Sequence, residues 1–195
     1  MDVYKTEEEQ VEALKKWWHE NGKSIIAGVV IGIIGIFGWR AFDDHIIVQA
    51  EQASVIYEKM IVASRTNDEE NVLVYANRII TDYKSSTYAI FASLMLAKIA
   101  AEAAELEQAE IHLRWILENN SQVEFEHIAR LRLTRILIAS NKLKLANEML
   151  DINDFGDFNA RYNELRGDIH VKQGESDKAI KAYEKSLANT KGSGD

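Results

Sequence analysis

The pattern of apolar and polar positions divides the chain into unlike parts. Residues 24 to 39, SIIAGVVIGIIGIFGW, place sixteen uncharged positions between Lys23 and Arg40 with no polar face. Ahead of them Val11, Leu14, Trp17 and Trp18 recur at helical spacing, and Thr6 followed by Glu9 forms a capping-box pattern. This segment reads as a short amphipathic helix. From residue 43 onward the apolar positions recur at three and four, which predicts helices over 44–65, 68–82, 86–103, 106–119, 123–140, 142–151, 158–173 and 175–189. The breaks carry turn chemistry: RTND, YKSST, NNSQ, and Asn141 and Gly174, which close helices in the left-handed conformation. Eight helices with short breaks predict four hairpins.

The apolar run spans about 24 Å at 1.5 Å per residue, and Lys23 and Arg40 can snorkel while Ala41 and Phe42 extend it toward the ~30 Å hydrocarbon core. A cleaved signal peptide fits less well, because the first small-x-small site is Val48-Gln49-Ala50, well beyond the run. Gly28, Gly32, Gly35 and Gly38 favour lipid over a globular core, where each would cost ~1 kcal/mol against alanine. On a helix Gly28, Gly32 and Gly35 fall within a stripe of about 60°, a candidate face for docking another helix. Lys15, Lys16 and Lys23 precede the run, whereas one Arg40 and then Asp43 and Asp44 follow it. That asymmetry predicts a cytoplasmic N-terminus, with Trp17, Trp18 and Trp39 at the interfaces. The expected division is a cytoplasmic amphipathic segment over 1–23, a transmembrane helix over 24–42, a repeat domain over 43–190 and a flexible tail over 191–195.

Composition supports an all-α chain: there is no proline among 195 residues, where average usage of about 5% predicts roughly ten. The formal net charge is -8, and residues 43–195 carry 25 acidic against 18 basic side chains, which excludes nucleic acid as a natural partner. Without cysteine there are no disulfides, thiolate metal sites or cysteine nucleophile. His19, His45, His112, His127 and His170 show no metal-binding spacing, and each reads as a lone surface histidine. No phosphate-cradling glycine loop or nucleophile elbow occurs outside the apolar run. The sequence therefore predicts no catalytic site, no cofactor and no metal.

The final hairpin, LRGDIHVKQGESDKAIKAYEKSL, resembles a tetratricopeptide repeat through Gly167, Gly174, Ala179, Tyr183 and Leu187. It departs from that motif at Asn163, where a large aromatic is usual, and at His170. Upstream, Leu96, Ala97, Ala109 and Leu117 match with Ala104 in place of glycine, and then only Asn141 and Ala146 remain. Alanines 109, 146 and 179 mark a degenerate array, and such hairpins must stack to bury their apolar faces. The fold class expected is all-α: one N-terminal transmembrane helix followed by a tetratricopeptide-like helical-hairpin solenoid. Carrying the repeat positions over, the groove lined by the first helices would show Phe91, Leu94, Lys98, Leu131, Arg135, Arg161, Glu164, Asp168 and Lys172. Mixed charges with a few apolar side chains suit an extended peptide or a partner helix.

The head TEEEQVEALKKWWHENGK, the glycine-rich run and the stretch STYAIFASLMLAKIAAEAAELEQAEIHLRWIL resemble the YfgM-like family of ancillary Sec translocon subunits of the bacterial inner membrane. The resemblance implies a non-catalytic, single-pass protein with a cytoplasmic N-terminus and a periplasmic repeat domain. It also implies Sec translocon channel subunits as partners, with periplasmic chaperones or secreted polypeptides as a second class. The residues alone show an anchor and a scaffold. A general cell-envelope scaffold or assembly factor is the alternative, an anchored enzyme or organelle import receptor fitting less well.

Overall fold

The computed structural model describes residues 7–120 and 122–192, and among these it holds eight α-helices, one turn of 3-10 helix and no strand. The expected cap at Thr6 and the end of the expected tail, 193–195, lie outside the described residues. The chain forms two compact units, Met1–Val48 and Gln49–Asp195.

The described part of the first unit belongs to α1 (Glu7–Arg65), which runs without interruption through the amphipathic segment and the apolar run. The only helix among the described residues that is long and apolar enough to cross a membrane is this one, and none of its most apolar 18-residue window is buried. Ile31, Ile34, Phe37 and Trp39 are each at least 65% exposed, the arrangement expected of a surface made for lipid or another helix. A Cβ on Gly28, Gly32, Gly35 or Gly38 would meet nothing within 4 Å among the described residues. At Gly22 the indole of Trp18 lies 3.1 Å from where a Cβ would stand, so the ring folds along the helix over the glycine.

The second unit contains the remainder of α1, then α2 (Glu69–Asp82), α3 (Thr87–Glu102), α4 (Leu106–Asn119), α5 (Val123–Ala139), α6 (Leu143–Leu150), the 3-10 turn Gly156–Phe158, α7 (Asn159–Gln173) and α8 (Ser176–Gly192). From α2 on, each helix begins within one residue of its expected position. Four turns of one kind fold the hairpins. Asn67, Ala104, Asn141 and Gly174 take φ values of 56°, 61°, 57° and 77°. The next amide in each reaches back over the helix end: Asp68 N to Ala63 O at 2.9 Å, Glu105 N to Ala100 O at 2.8 Å, Lys142 N to Leu137 O at 2.8 Å and Glu175 N to His170 O at 2.9 Å. These bonds satisfy carbonyls that a helix end leaves open. At the opposite ends, Asp68 and Ser86 cap α2 and α3 by accepting from the amides of Asn71 and Ala89.

Consecutive helices pack in antiparallel succession from α2 to α8, and the first helices of successive hairpins also touch, α3 against α5 and α5 against α7. That is the contact pattern of a solenoid. Its core falls into two clusters. One is built on Ile56, Met60, Val72, Ile79 and Leu96, the other on Leu113, Ile116, Leu133, Leu137, Leu165 and Ile169, and Trp115 packs against both. In the last hairpin a Cβ on Gly167 would lie 2.3 Å from the Tyr183 ring. Only glycine admits that ring, whose hydroxyl donates to Asp168 at 2.8 Å.

Candidate functional site

The first helices share a face, and its most regular feature is an aromatic row. Tyr57, Phe91 and Phe125 stand one per helix on α1, α3 and α5, at 34-residue intervals, with ring centroids 5.8 Å and then 5.5 Å apart. Tyr88 joins them 5.3 Å from Tyr57. All four are half-buried. Burial, with Tyr88 as the lesser cause, raises the Tyr57 hydroxyl above its ordinary range.

Seven residues beyond Phe91 and Phe125, two helical turns along, stand Lys98 and Arg132. With Arg135, Glu102, Leu113 and Ile136 they line a pocket of about 350 Å³ between α3 and α5. A neighbouring pocket of about 440 Å³, bounded by Ser64 on α1, Asp68 and Glu69 at the start of α2, and Met95 on α3, shares Lys98 and Glu102 with it. These two residues form an exposed ion pair at 3.7 Å. The face thus runs from acidic at Asp68 and Glu69 to basic at Arg132 and Arg135, beside the aromatic row.

The residues expected in the groove do not form one site. Phe91 is in the aromatic row, and Lys98 and Arg135 meet in the α3/α5 pocket. Leu94 is half-buried against the core, and Leu131 is 3% exposed and belongs to the core itself. Arg161 and Glu164 line a separate depression of about 680 Å³ with residues of α8. Asp168 is engaged by Tyr183, and Lys172 is exposed outside all of these pockets. Sequence reasoning missed Arg132, Tyr57 and Phe125. The signal was present, since 57, 91 and 125 are evenly spaced aromatics and 98 and 132 repeat the same interval.

The uniform surface reading of the histidines needs correction. His19 is exposed, but His127 is 8% exposed, its Nδ1 lies 3.0 Å from the Tyr162 hydroxyl and its ring stacks on Phe158 at 5.0 Å. It is a core residue whose polar atom is satisfied by a partner. His112 is half-buried, and that burial lowers its pKa. His170 pairs with Glu175 at 2.7 Å across the last turn. The His45 side chain lies outside the described residues. Among the described residues no group of histidines and carboxylates is placed to hold a metal ion.

Residues 15–194 match the family model described as a tetratricopeptide repeat-like domain. Curated proteins named ancillary SecYEG translocon subunit are similar along nearly the whole chain. The one from Haemophilus influenzae is 34% identical over 94% of this chain and 90% of its own. The one from Escherichia coli is 30% identical over 94% and 88%, and the one from Aggregatibacter actinomycetemcomitans 30% identical over 94% and 89%. No solved structure matches. One apolar N-terminal helix fits a single-pass protein of the inner membrane, and with an aromatic, charge-graded face behind it, the family model and the relatives agree. The chain belongs to the tetratricopeptide repeat-like family of ancillary SecYEG translocon subunits.

Proposed function

We propose that this chain is a non-catalytic accessory subunit of the Sec translocon whose repeat domain holds secreted polypeptides or the periplasmic chaperones that receive them. One observation carries the reading: an apolar span with none of its most apolar window buried precedes an aromatic and charge-graded face built from stacked first helices. The names of the relatives support the translocon as the partner of the span. The working division is 1–23 on the cytoplasmic side, 24–42 in the membrane, the repeat domain 43–190 in the periplasm and a tail over 191–195, of which 191–192 continue α8. The cations Lys15, Lys16 and Lys23 ahead of the span support that orientation. Gly28, Gly32 and Gly35 form the face on which a channel helix docks, and Phe91, Lys98 and Arg135 contribute to the groove. Arg161, Glu164, Asp168 and Lys172 extend the polar surface along α7, while Leu94 and Leu131 pack into the core from α3 and α5.

Tethering supplies the mechanism. A domain held near a channel exit meets emerging chains at an effective concentration in the mM range, so weak contacts suffice. The test is affinity purification after in vivo crosslinking, comparing the full chain with a variant lacking residues 1–42. Channel subunits recovered only with the full chain support the reading. Channel subunits recovered with neither form would replace it with a general cell-envelope scaffold.

A further inference from the structure

Arg132 and Arg135 are exposed and form no ion pair or hydrogen bond among the described residues. Several basic side chains of the solenoid are engaged: Lys98 pairs with Glu102 on the rim of the same pocket, Arg78 with Asp82, Arg114 and Lys142 with Glu110, Arg130 with Glu126 and Lys178 with Glu175. Both free guanidiniums flank a pocket floored by Leu113 and Ile136, on a chain of net charge -8. With Lys98 paired to Glu102 on the same rim, the two arginines leave the rim net positive over an apolar floor, which is complementary to one kind of ligand, an apolar side chain with a carboxylate beside it. Guanidinium forks bind carboxylates in bidentate fashion; the chain's net negative charge repels acidic ligands at long range, so selection rests on these short-range pairs together with the apolar floor.

We propose that the α3/α5 pocket binds an extended acidic-apolar segment of a partner polypeptide, seating a leucine-sized side chain against Leu113 and Ile136 while Arg132 and Arg135 pair its flanking Asp or Glu. This deepens the function proposed above and rests on it, since it names the chemistry of what the groove takes. The neighbouring Phe91 and Phe125 lie two turns back on the same helices, where the segment's next apolar side chain continues along the face.

The experiment uses the full chain in neutral detergent micelles and fluorescein-labelled ten-residue peptides with a central leucine flanked by Glu, read by anisotropy. The same peptide with Gln, and again with Lys, replaces the acidic one. The Glu peptide should bind at least about tenfold more tightly than the Gln peptide, with the advantage falling in high salt. The double variant Arg132→Ala/Arg135→Ala should remove that advantage and leave the Gln peptide unaffected. Both positions are exposed, and an unchanged helical circular-dichroism spectrum checks that the variant is folded. Equal binding of Glu and Gln peptides, an unaltered double variant, or no saturation at millimolar Glu peptide would each overturn the proposal. So would displacement of the Glu peptide by dihexanoyl phosphatidylglycerol as effectively as by unlabelled peptide, which would assign the arginines to a lipid headgroup. Failure here leaves channel association by the double variant intact, whereas failure of the translocon reading removes that association from the full chain.

Discussion

At residue scale the four hairpin turns share one backbone conformation but not one residue type, and that difference sets their relative strain. Gly174 takes φ 77° with no Cβ to clash, and Asn67 and Asn141 are of the type that tolerates the left-handed region. Ala104 at φ 61° has neither advantage. Ala104→Gly should therefore raise the unfolding free energy by about 1 kcal/mol, the strain relieved exceeding the extra entropy of the unfolded chain. Urea unfolding of both proteins followed by circular dichroism measures it, and a lower midpoint for the variant would refute the strain. Gly167 lies at the other extreme, for its absent Cβ is the space the Tyr183 ring occupies. Gly167→Ala should destabilise by about 1–3 kcal/mol through overpacking. The same change in a Tyr183→Ala background should cost markedly less, and equal costs in the two backgrounds would place the clash elsewhere.

At the scale of elements, α7 is held by two tyrosines with protected hydroxyls. Burial first, then the hydrogen bond to Asp168, pushes Tyr183 up to about 12, and burial does the same to Tyr162. Both ionise near 10 when unfolded. Their contribution is complete below pH 10 and is lost as pH rises from 10 to about 12, the folded value. Thermal unfolding across that window should show a steeper loss for the native chain than for Tyr162→Phe/Tyr183→Phe, and parallel curves would show that neither hydroxyl is protected. Helices like α7 were legible from the sequence because apolar spacing and turn residues agree at every boundary, and no proline interrupts them. The shared face was less legible. Alanines 109, 146 and 179 fix the second helices at uneven spacing, so carrying their register onto the first helices picked Leu131 rather than Arg132. One residue is 100° of helix, which separates a core leucine from a pocket arginine. His127 escaped for a different reason: its burial depends on Phe158 and Tyr162, more than thirty residues away.

For the whole molecule the question is what distinguishes an anchor from a docking helix, since lipid accepts either. A span that only anchors needs apolar area, and Ile31, Ile34 and Phe37 supply it on any face. A docking span needs a place where another backbone can approach, which small residues on one stripe provide. Among the described residues no atom fills the space over Gly28, Gly32 or Gly35, so that stripe is available to a partner. Gly32→Leu adds apolar bulk in the middle of the stripe, which strengthens membrane insertion while blocking close approach. Gly38→Leu adds the same bulk off the stripe. Both variants should therefore remain in the membrane fraction after carbonate extraction, but Gly32→Leu should lose several-fold of its crosslinked channel subunits while Gly38→Leu keeps them. Equal recovery from both variants would make the span a tether alone. The association would then have to come from the amphipathic segment ahead of it, where Trp17 and Trp18 are about half exposed, or from the repeat domain.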